Sequence, residues 1–415
     1  VHRAKAVNVS FARGFWPTFV VQFSGALNDN LFKNVVVLTI AFDPSMSEVR
    51  ANQFVIAAGA LFILPFALFS LPGGALADRV DKARLIRTLK ALEVVLMAGG
   101  ALALEAGHVP GMLVVTFAMG VQSAFFGPTK YAILPQHLSA RVLPRVNGFF
   151  QLSTFAAILV GTVVAGLVSS LESTRETLAG MLVMAVAAVG LMAALLVPVA
   201  PPARDADGER VELKATLRRA RLLPVVFAIA WLWFAAITLM GLIPGLTRDV
   251  LGGEELHVTW LLVALTVGVA TGCLVFAVAR DAAFERRTVA AAAVGLSLGV
   301  AGIAAVLTVV PSGAFGWTAA LAVAIGTGAG VYIVPLITRL QRAADLAVRA
   351  RVLALSNLTN AVFMILASAA SLVAVRYLDY GTIFALLACG SAAVFASVLP
   401  FVVLDSTPAR DTMST

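Results

Sequence analysis

A cluster of polar residues interrupts the first long apolar stretch of the sequence, residues 14–41. It contains Asn28, Asp29, Asn30, Lys33 and Asn34. A carboxylate at mid-membrane depth costs about 2.5–3.5 kcal/mol on insertion scales, so such a group faces a bundle interior or a wet cavity and usually has a partner. Asp29 and Lys33 are four residues apart, share one helix face and can pair. Either this pair only locks helix packing, or the polar turn lies on a substrate or proton pathway; we favour the pathway.

The elements that must position this turn are membrane helices. Hydrophobic residues make up 60% of the 415 residues and charged residues only 13%, whereas soluble domains are about half apolar and a quarter charged. Long apolar runs indicate spanning α-helices rather than a β-barrel. Cys273 and Cys389 lie in such runs and are predicted to be buried thiols. The sequence shows no phosphate-binding loop, zinc spacing or catalytic triad, so we predict no enzyme activity, no catalytic residue, no cofactor and no metal.

The apolar runs predict an all-α membrane protein with twelve transmembrane helices in two six-helix halves. The predicted spans are 14–41, 52–76, 86–105, 110–134, 146–170, 177–198, 222–247, 257–279, 288–309, 314–338, 353–376 and 381–404. Most of the 30 Lys and Arg residues fall in loops on one side, which places both termini in the cytoplasm and explains the net charge of +8 without a nucleic-acid partner. The predicted domains are residues 1–200, a cytoplasmic linker at 201–221, and residues 222–415, a layout typical of transporters with nested repeats.

The loop after the second span contains a motif of one glycine, an Asp-Arg pair and further basic residues. Its members are Gly74, Asp78, Arg79, Lys82 and Arg84. This motif resembles the signature between helices two and three of the major facilitator superfamily, from which it departs at Asp81 and Ala83. The resemblance implies a latch for one conformation of an alternating-access cycle; the simpler alternative is a basic loop that only sets topology.

Three further stretches, residues 22–34, 122–138 and 146–162, resemble the lysophospholipid transporter branch of that superfamily. The run 61–66 and the loop 248–254 are most similar to the membrane domain that some bacteria fuse to lysophospholipid acyltransferase and acyl-ligase modules. The resemblance covers essentially the whole chain. It implies a monomeric transporter in the bacterial inner membrane that moves lysophosphatidylethanolamine-like lipids from the outer to the inner leaflet, with a separate acyltransferase or acyl-ligase as partner.

The resemblance also implies a set of substrate-binding residues. Asp29 would meet the head-group amine, and Lys130 would meet the phosphate as a point charge on a flexible stem. Hydrogen bonds would come from neighbouring amides, so that the full set is Asn28, Asp29, Asn30, Lys33, Gln122, Lys130, Asn147, Gln151, Asn357 and Asn360. The alternatives are that Lys130 only snorkels to the cytoplasmic surface and that the asparagines bond only within or between helices.

Two departures from the branch and two rival functions remain at this point. Gln151 stands where the branch often has a carboxylate, and residues 237–241 lack the arginine that some members have there. A proton-coupled exporter of drugs or other amphipathic molecules is one rival, but the Gly-Pro-rich pattern frequent in the fifth span of such exporters is absent from residues 161–166. The other rival is a membrane scaffold for an acyltransferase with no transport of its own.

Overall fold

The described part of the chain consists of α-helices and the connections between them. The computed structural model describes residues 10–171, 174–202, 212–278, 282–309 and 314–403. Its helices are α1 (Phe11–Ala41), α2 (Glu48–Arg79), α3 (Lys82–Glu105), α4 (Val109–His137), α5 (Leu143–Ser169), α6 (Arg175–Leu195), α7 (Leu213–Arg219), α8 (Leu223–Asp249), α9 (Glu255–Val278), α10 (Ala282–Val309), α11 (Ala314–Ala343), α12 (Arg349–Tyr377) and α13 (Tyr380–Val403).

Twelve of these helices have 21 to 32 residues, and α7 has only 7. Among the described residues, ten helices are both long enough and apolar enough to cross a bilayer. The other two long helices, α1 and α3, carry charged groups of the candidate site. The chain is therefore a multi-pass helical membrane protein, and its twelve long helices match the twelve predicted spans in number.

Short connections join the first four helices. Residues 42–47, 80–81 and 106–108 link α1 through α4. Such short links make successive helices reverse direction, so α1 runs antiparallel to α4.

Polar side chains begin two of the later helices. At the start of α3, Asp81 accepts a hydrogen bond from the backbone N–H of Arg84 at 2.8 Å. Just before α13, the Asp379 carboxylate accepts hydrogen bonds from the Thr382 hydroxyl at 2.6 Å and from the Thr382 N–H at 2.9 Å. These two bonds hold the pKa of Asp379 below its ordinary value. Both carboxylates satisfy backbone N–H groups that lack partners within the helix.

The first compact unit comprises residues 1–146, 153–216 and 344–361. Within it α3 and α4 contact each other, α6 packs against α1 and α3, and α4 packs against α1 and α2. Its core includes Phe32, Met97 and Val183, all fully buried. A side chain at Gly100 on α3 would collide with the Phe32 ring, so this glycine leaves room for a large core residue of α1.

The second compact unit comprises residues 147–152, 217–343 and 362–415. Its closest helix pair is α9 with α11, where Gly268 and Gly272 face the backbone around Gly326 and Gly330. A Cβ at any of these four positions would collide with main-chain atoms of the other helix. Gly268 and Gly272 have the GxxxG spacing that allows close helix packing, and they do pack closely here; Gly295, which has the same spacing to Gly299, has open space around it.

The two cysteines, both in the second unit, have different surroundings. Cys273 on α9 is fully buried, as predicted. Cys389 on α13 is exposed, so the prediction of a buried thiol is wrong at that position. An apolar run in a membrane helix contains lipid-facing residues as well as core residues, and composition alone does not separate the two.

Candidate functional site

Asp29 lies on α1 in the first compact unit and is half-buried. Its carboxylate accepts a hydrogen bond from the Ser123 hydroxyl on α4 at 2.7 Å. The sequence spacing allows Asp29 to pair with Lys33, but the described residues show no ion pair within 4 Å between these two side chains. Instead, Ser123 on the neighbouring helix α4 donates a short hydrogen bond to Asp29. The Asp29 carboxylate keeps further acceptor capacity for a ligand.

Lys33 lies one helical turn farther along α1 and is half-buried. Its ammonium group bonds weakly to Asn30 Oδ1 at 3.4 Å and lies over the Phe62 ring at 5.5 Å from the centroid. The Asn30 amide N–H donates to the Ala26 carbonyl at 2.8 Å. Because a lysine ammonium has three N–H donors, Lys33 retains donors that these contacts do not use.

A buried polar network lies next to this face of α1. Glu93 on α3, only 3% exposed, accepts from Lys90 at 2.7 Å, from Asn28 at 3.1 Å and from Gln122 at 3.2 Å. The carboxylate and the ammonium carry opposite charges. The network therefore neutralises its own charge, and it is held by α1, α3 and α4.

Two glycines leave room for Lys90. Its ammonium is fully buried, and a Cβ at Gly25 on α1 or at Gly190 on α6 would approach its Nζ. The absence of side chains at these two positions thus allows α3 to carry a charged side chain inside the first unit.

Two amides expected to contact substrate belong to that network instead. The donors of Asn28 and Gln122 both point at Glu93, and both side chains are less than 5% exposed. Gln122 Oε1 also lies 3.3 Å from the Ser123 hydroxyl. These residues thus connect Glu93 to the serine that binds Asp29, and they lie behind the accessible groups rather than among them.

Lys130 lies two turns beyond Ser123 on α4 and is half-buried. Its ammonium lies 5.6 Å from the Phe126 ring centroid and 5.1 Å from that of Tyr131. It interacts electrostatically with the Asp29 carboxylate. The two rings hold the cation in place without neutralising it, so Asp29 and Lys130 form a pair of opposite charges in one unit.

The two predicted amides of α12 both lie in the first unit but have different neighbours. The part of α12 that contains Asn357 and Asn360 belongs to the first unit. Asn357 Nδ2 lies against Gly127, one turn before Lys130, and would collide with any side chain there. Asn360 Oδ1 is a buried atom without a hydrogen-bond partner among the described residues. Both amides are half-buried and carry polar groups that a ligand can use.

Asn147 and Gln151 belong to the second compact unit. Asn147 is fully buried, and its amide donates to Thr338 at 2.8 Å and to Gln341 at 2.6 Å on α11. Both amide protons are therefore engaged within that unit. Gln151 is buried at 6% exposure.

The signature loop at the end of α2 also has defined contacts. Asp78 accepts from the backbone N–H groups of Ala350 at 2.9 Å and Arg351 at 3.1 Å, and from Arg351 Nε at 3.1 Å. It therefore binds the first turn of α12, where N–H groups lack helical partners. A Cβ at Gly74 would collide with Ala354 of the same helix.

The basic residues of this loop differ in exposure. Arg79 and Arg84 are exposed, whereas Lys82 is fully buried. The Lys82 Nζ has no hydrogen-bond partner among the described residues, although Asp78 and Asp81 lie near enough to attract it. The two arginines thus lie on the surface of the loop, while Lys82 lies inside it.

Asp81, the residue that departs from the signature, has a structural contact of its own. Its carboxylate accepts from the Ala200 N–H at 2.8 Å, in addition to the bond at the start of α3. It therefore ties the chain that follows α6 to the loop between α2 and α3.

The sequence matches a known family over most of its length. The sequence profile described as Major Facilitator Superfamily matches residues 18–368. The chain belongs to the major facilitator superfamily. A superfamily structure, the proton:xylose symporter XylE, covers 95% of this chain and 97% of its own, with a TM-score of 0.71 and 13% identity, which supports the fold alone.

Two superfamily relatives share sequence with part of the chain. A protein of Cronobacter sakazakii named Lysophospholipid transporter LplT is 30% identical over 161 residues, 38% of this chain and 37% of the relative. A protein of the same name from Salmonella schwarzengrund is 28% identical over 204 residues, 48% of this chain and 47% of the relative. The chain thus matches less than half the length of each relative.

Sequence reasoning missed three residues of this superfamily member's polar site: Lys90, Glu93 and Ser123. The sequence allows Glu93 to pair with Lys90 or to face a neighbouring helix, and the structure shows both, since Glu93 bonds Lys90 as well as amides of α1 and α4. A signal was present, because two opposite charges three residues apart in an apolar helix must both be buried or both reach water. Ser123 gave no signal, since a serine in a membrane helix is ordinary and its bond to Asp29 depends on how α1 meets α4.

Proposed function

We propose that the chain is a secondary-type transporter that moves lysophospholipids, lysophosphatidylethanolamine among them, from the outer to the inner leaflet of the bacterial cytoplasmic membrane. The observation that carries the proposal is the half-buried pair of opposite charges, Asp29 on α1 and Lys130 on α4, within one unit. The names of the partial relatives support the same substrate class.

The proposed roles follow from the chemistry of the head group. A lysophosphatidylethanolamine head carries one ammonium and one phosphate, so it needs one anion and one cation from the protein. Asp29 has free acceptor capacity for the ammonium beyond its bond from Ser123. Lys130 presents a cation that two aromatic rings position, and the half-buried Tyr131 ring offers apolar surface to the lipid. Asn357 is placed to add a hydrogen bond.

The proposal includes transport without covalent chemistry, and both termini in the cytoplasm as the distribution of Lys and Arg predicts. The chain acts as a monomer on substrate lipids held in the membrane. A separate acyltransferase or acyl-ligase would reacylate the delivered lysolipid.

Lysolipid translocation in proteoliposomes tests the proposal. Purified protein is reconstituted, head-group-labelled lysophosphatidylethanolamine is added outside, and the protected fraction is followed with and without a proton gradient. We expect protein-dependent protection well above that of protein-free vesicles. Movement of cationic amphiphiles but of no lysolipid would favour an exporter. Binding of an acyltransferase without any lipid movement would favour a scaffold.

We also propose that Asp78 is the conformational latch of this transporter. Its carboxylate accepts three hydrogen bonds from the first turn of α12, and Gly74 lets α2 approach that turn closely. An acceptor at a helix N-terminus is stabilised both by the unpaired N–H groups and by the helix dipole. Alternating access would then require this contact to break and re-form in each cycle.

Replacing Asp78 with Asn should release the first turn of α12. Hydrogen bonds to a charged group contribute about 1.5–3 kcal/mol each, so we expect amide exchange of residues 350 and 351 to rise at least about tenfold in hydrogen–deuterium exchange, with slower transport. Asp81→Asn is the matched control, because its carboxylate binds the N–H groups of Arg84 and Ala200 instead. Unchanged exchange in α12 of the Asp78 variant would contradict the latch.

A further inference from the structure

Lys33 is a cation at the edge of the charged site that has no counter-ion within 4 Å among the described residues. Its described contacts are a 3.4 Å bond to the neutral Asn30 and the Phe62 ring. Asp29, the nearest carboxylate along α1, bonds Ser123 instead. A membrane helix that keeps such a half-buried ammonium has a reason to do so, because an unneutralised charge in the bilayer is costly.

We propose that Lys33 is a second phosphate site, so that the lysolipid phosphate first binds Lys33 and then passes to Lys130 while the amine stays at Asp29. This inference rests on the proposed lysolipid transport. It assigns the two lysines different steps: Lys33 captures the head group from the outer leaflet, and Lys130 receives it on the way to the inner leaflet.

The helix geometry sets the order of the three charges. Lys33 lies four residues beyond Asp29 on α1, about 6 Å along the helix axis. Ser123 on α4 bonds Asp29 and therefore lies at the same depth. Lys130 lies seven residues beyond Ser123, about 10 Å along the axis of α4. Because α1 and α4 run antiparallel, the lysines lie on opposite sides of Asp29. In the predicted orientation, Lys33 is on the outer side and Lys130 on the cytoplasmic side.

Electrostatics favours a transfer rather than a trap. Asp29 interacts with Lys33 and with Lys130, so a single carboxylate serves both cations. A phosphate held by one lysine and an ammonium held by Asp29 leave the other lysine free to attract the phosphate. Since the amine contact persists through the step, the head group never loses both of its charge partners at once.

The surroundings of Lys33 suit a transient phosphate site. A cation over an aromatic ring gains only about 0.5–2 kcal/mol, and the Asn30 bond is long. A phosphate offers charge-assisted hydrogen bonds that are about twice as strong as neutral ones. Phosphate binding therefore displaces the Asn30 contact easily, and Phe62 with its neighbour Phe66, 5.9 Å away, keeps apolar surface beside the head group.

Initial transport rates, measured at increasing fractions of lysolipid in the outer leaflet, distinguish the role of Lys33 from that of Lys130. We expect Lys33→Gln to raise the half-saturating fraction about tenfold with a maximal rate within twofold of wild type. This is the loss of one charge-assisted contact. Lys130→Gln should instead lower the maximal rate about tenfold. Lysophosphatidylglycerol, which shares the phosphate but lacks the amine, should respond to Lys33→Gln as lysophosphatidylethanolamine does.

Two further variants exclude a merely structural role of Lys33. Lys33→Arg keeps the charge and should restore the wild-type half-saturation. Arg50→Gln is the matched control, because Arg50 lies 5.7 Å from the centroid of Phe54 on the same helix as Phe62 but is exposed, and it should behave as wild type.

The other outcomes would overturn either the transfer from Lys33 alone or the proposed function as well. If wild-type protein moves lysolipid and Lys33→Gln keeps its half-saturation, or Lys33→Arg fails to rescue it, the transfer from Lys33 is wrong and the proposed function stands. If wild-type protein moves neither lysolipid, the proposed function and the transfer both fail.

Discussion

Asp29→Asn should reduce lysophosphatidylethanolamine translocation in proteoliposomes by about 10- to 150-fold. The substitution removes the charge that we assign to the head-group amine, and a hydrogen bond to a charged group contributes about 1.5–3 kcal/mol. The shape of the side chain is preserved, and asparagine still accepts from Ser123, whose hydroxyl lies 2.7 Å from the carboxylate. The fold should therefore persist, and the loss should be one of substrate recognition.

The lipid head group provides the internal control for this variant. Lysophosphatidylglycerol has no amine, so its movement should fall much less in Asp29→Asn than that of lysophosphatidylethanolamine. Asp43→Asn is the matched protein control, because Asp43 follows the same helix and its carboxylate bonds only Ser45 among the described residues. Equal loss for both lipids, with normal elution in size-exclusion chromatography, would remove Asp29 from amine recognition.

The helical fold was predictable because a membrane helix can be identified from the composition of one continuous stretch of sequence. Each predicted span needs only enough consecutive apolar residues to cross the bilayer, and twelve long helices follow. The polar ends of the helices were harder to predict. The structure extends α2 to Arg79 and α4 to His137, because an apolar run marks the part of a helix inside the bilayer and not its last turn.

Pairing between polar side chains was predictable only where it is local. The Lys90–Glu93 pair lies within one helix, and its spacing alone indicates contact. The spacing of Asp29 and Lys33 indicates contact equally well, yet Ser123 from α4 binds Asp29 instead. A sequence does not contain the rotation of α1 against α4, and that rotation decides which side chains are accessible and which are buried.

The same limit applies to Asn147 and Asp78. Asn147 reads as a polar group available to substrate, but α11 supplies two acceptors that use both of its amide protons. The signature motif identified Asp78 in advance, because its residue types are specific to a known loop. Its three bonds to α12 connect residues about 270 positions apart, a contact that only the fold reveals.

Glu93→Gln should lower the thermal unfolding temperature of the purified protein by about 5–10 °C. The carboxylate is the sole ion-pair partner, among the described residues, of the fully buried Lys90 ammonium. Removing one partner of a buried pair costs about 3–5 kcal/mol, because an uncompensated charge remains inside, and for a large domain each kcal/mol lowers the unfolding temperature by about 2–4 °C or less. Differential scanning fluorimetry in detergent measures this shift directly.

The double variant Lys90→Met with Glu93→Gln shows whether charge burial causes the loss. It removes both charges, and the single amide oxygen of the introduced glutamine can still accept from Asn28 or from Gln122, which bond different oxygens of Glu93. Most of the unfolding temperature should therefore return. If the double variant unfolds at as low a temperature as Glu93→Gln, the loss comes from damaged packing between α1, α3 and α4.

A more accessible pair provides the matched control for this buried one. Glu176 pairs with Arg175 at about one-third exposure, and such pairs contribute about 0–1 kcal/mol. Glu176→Gln should therefore leave the unfolding temperature nearly unchanged. If Glu93→Gln matches this control, water reaches Lys90, and the polar network belongs to the accessible site rather than behind it.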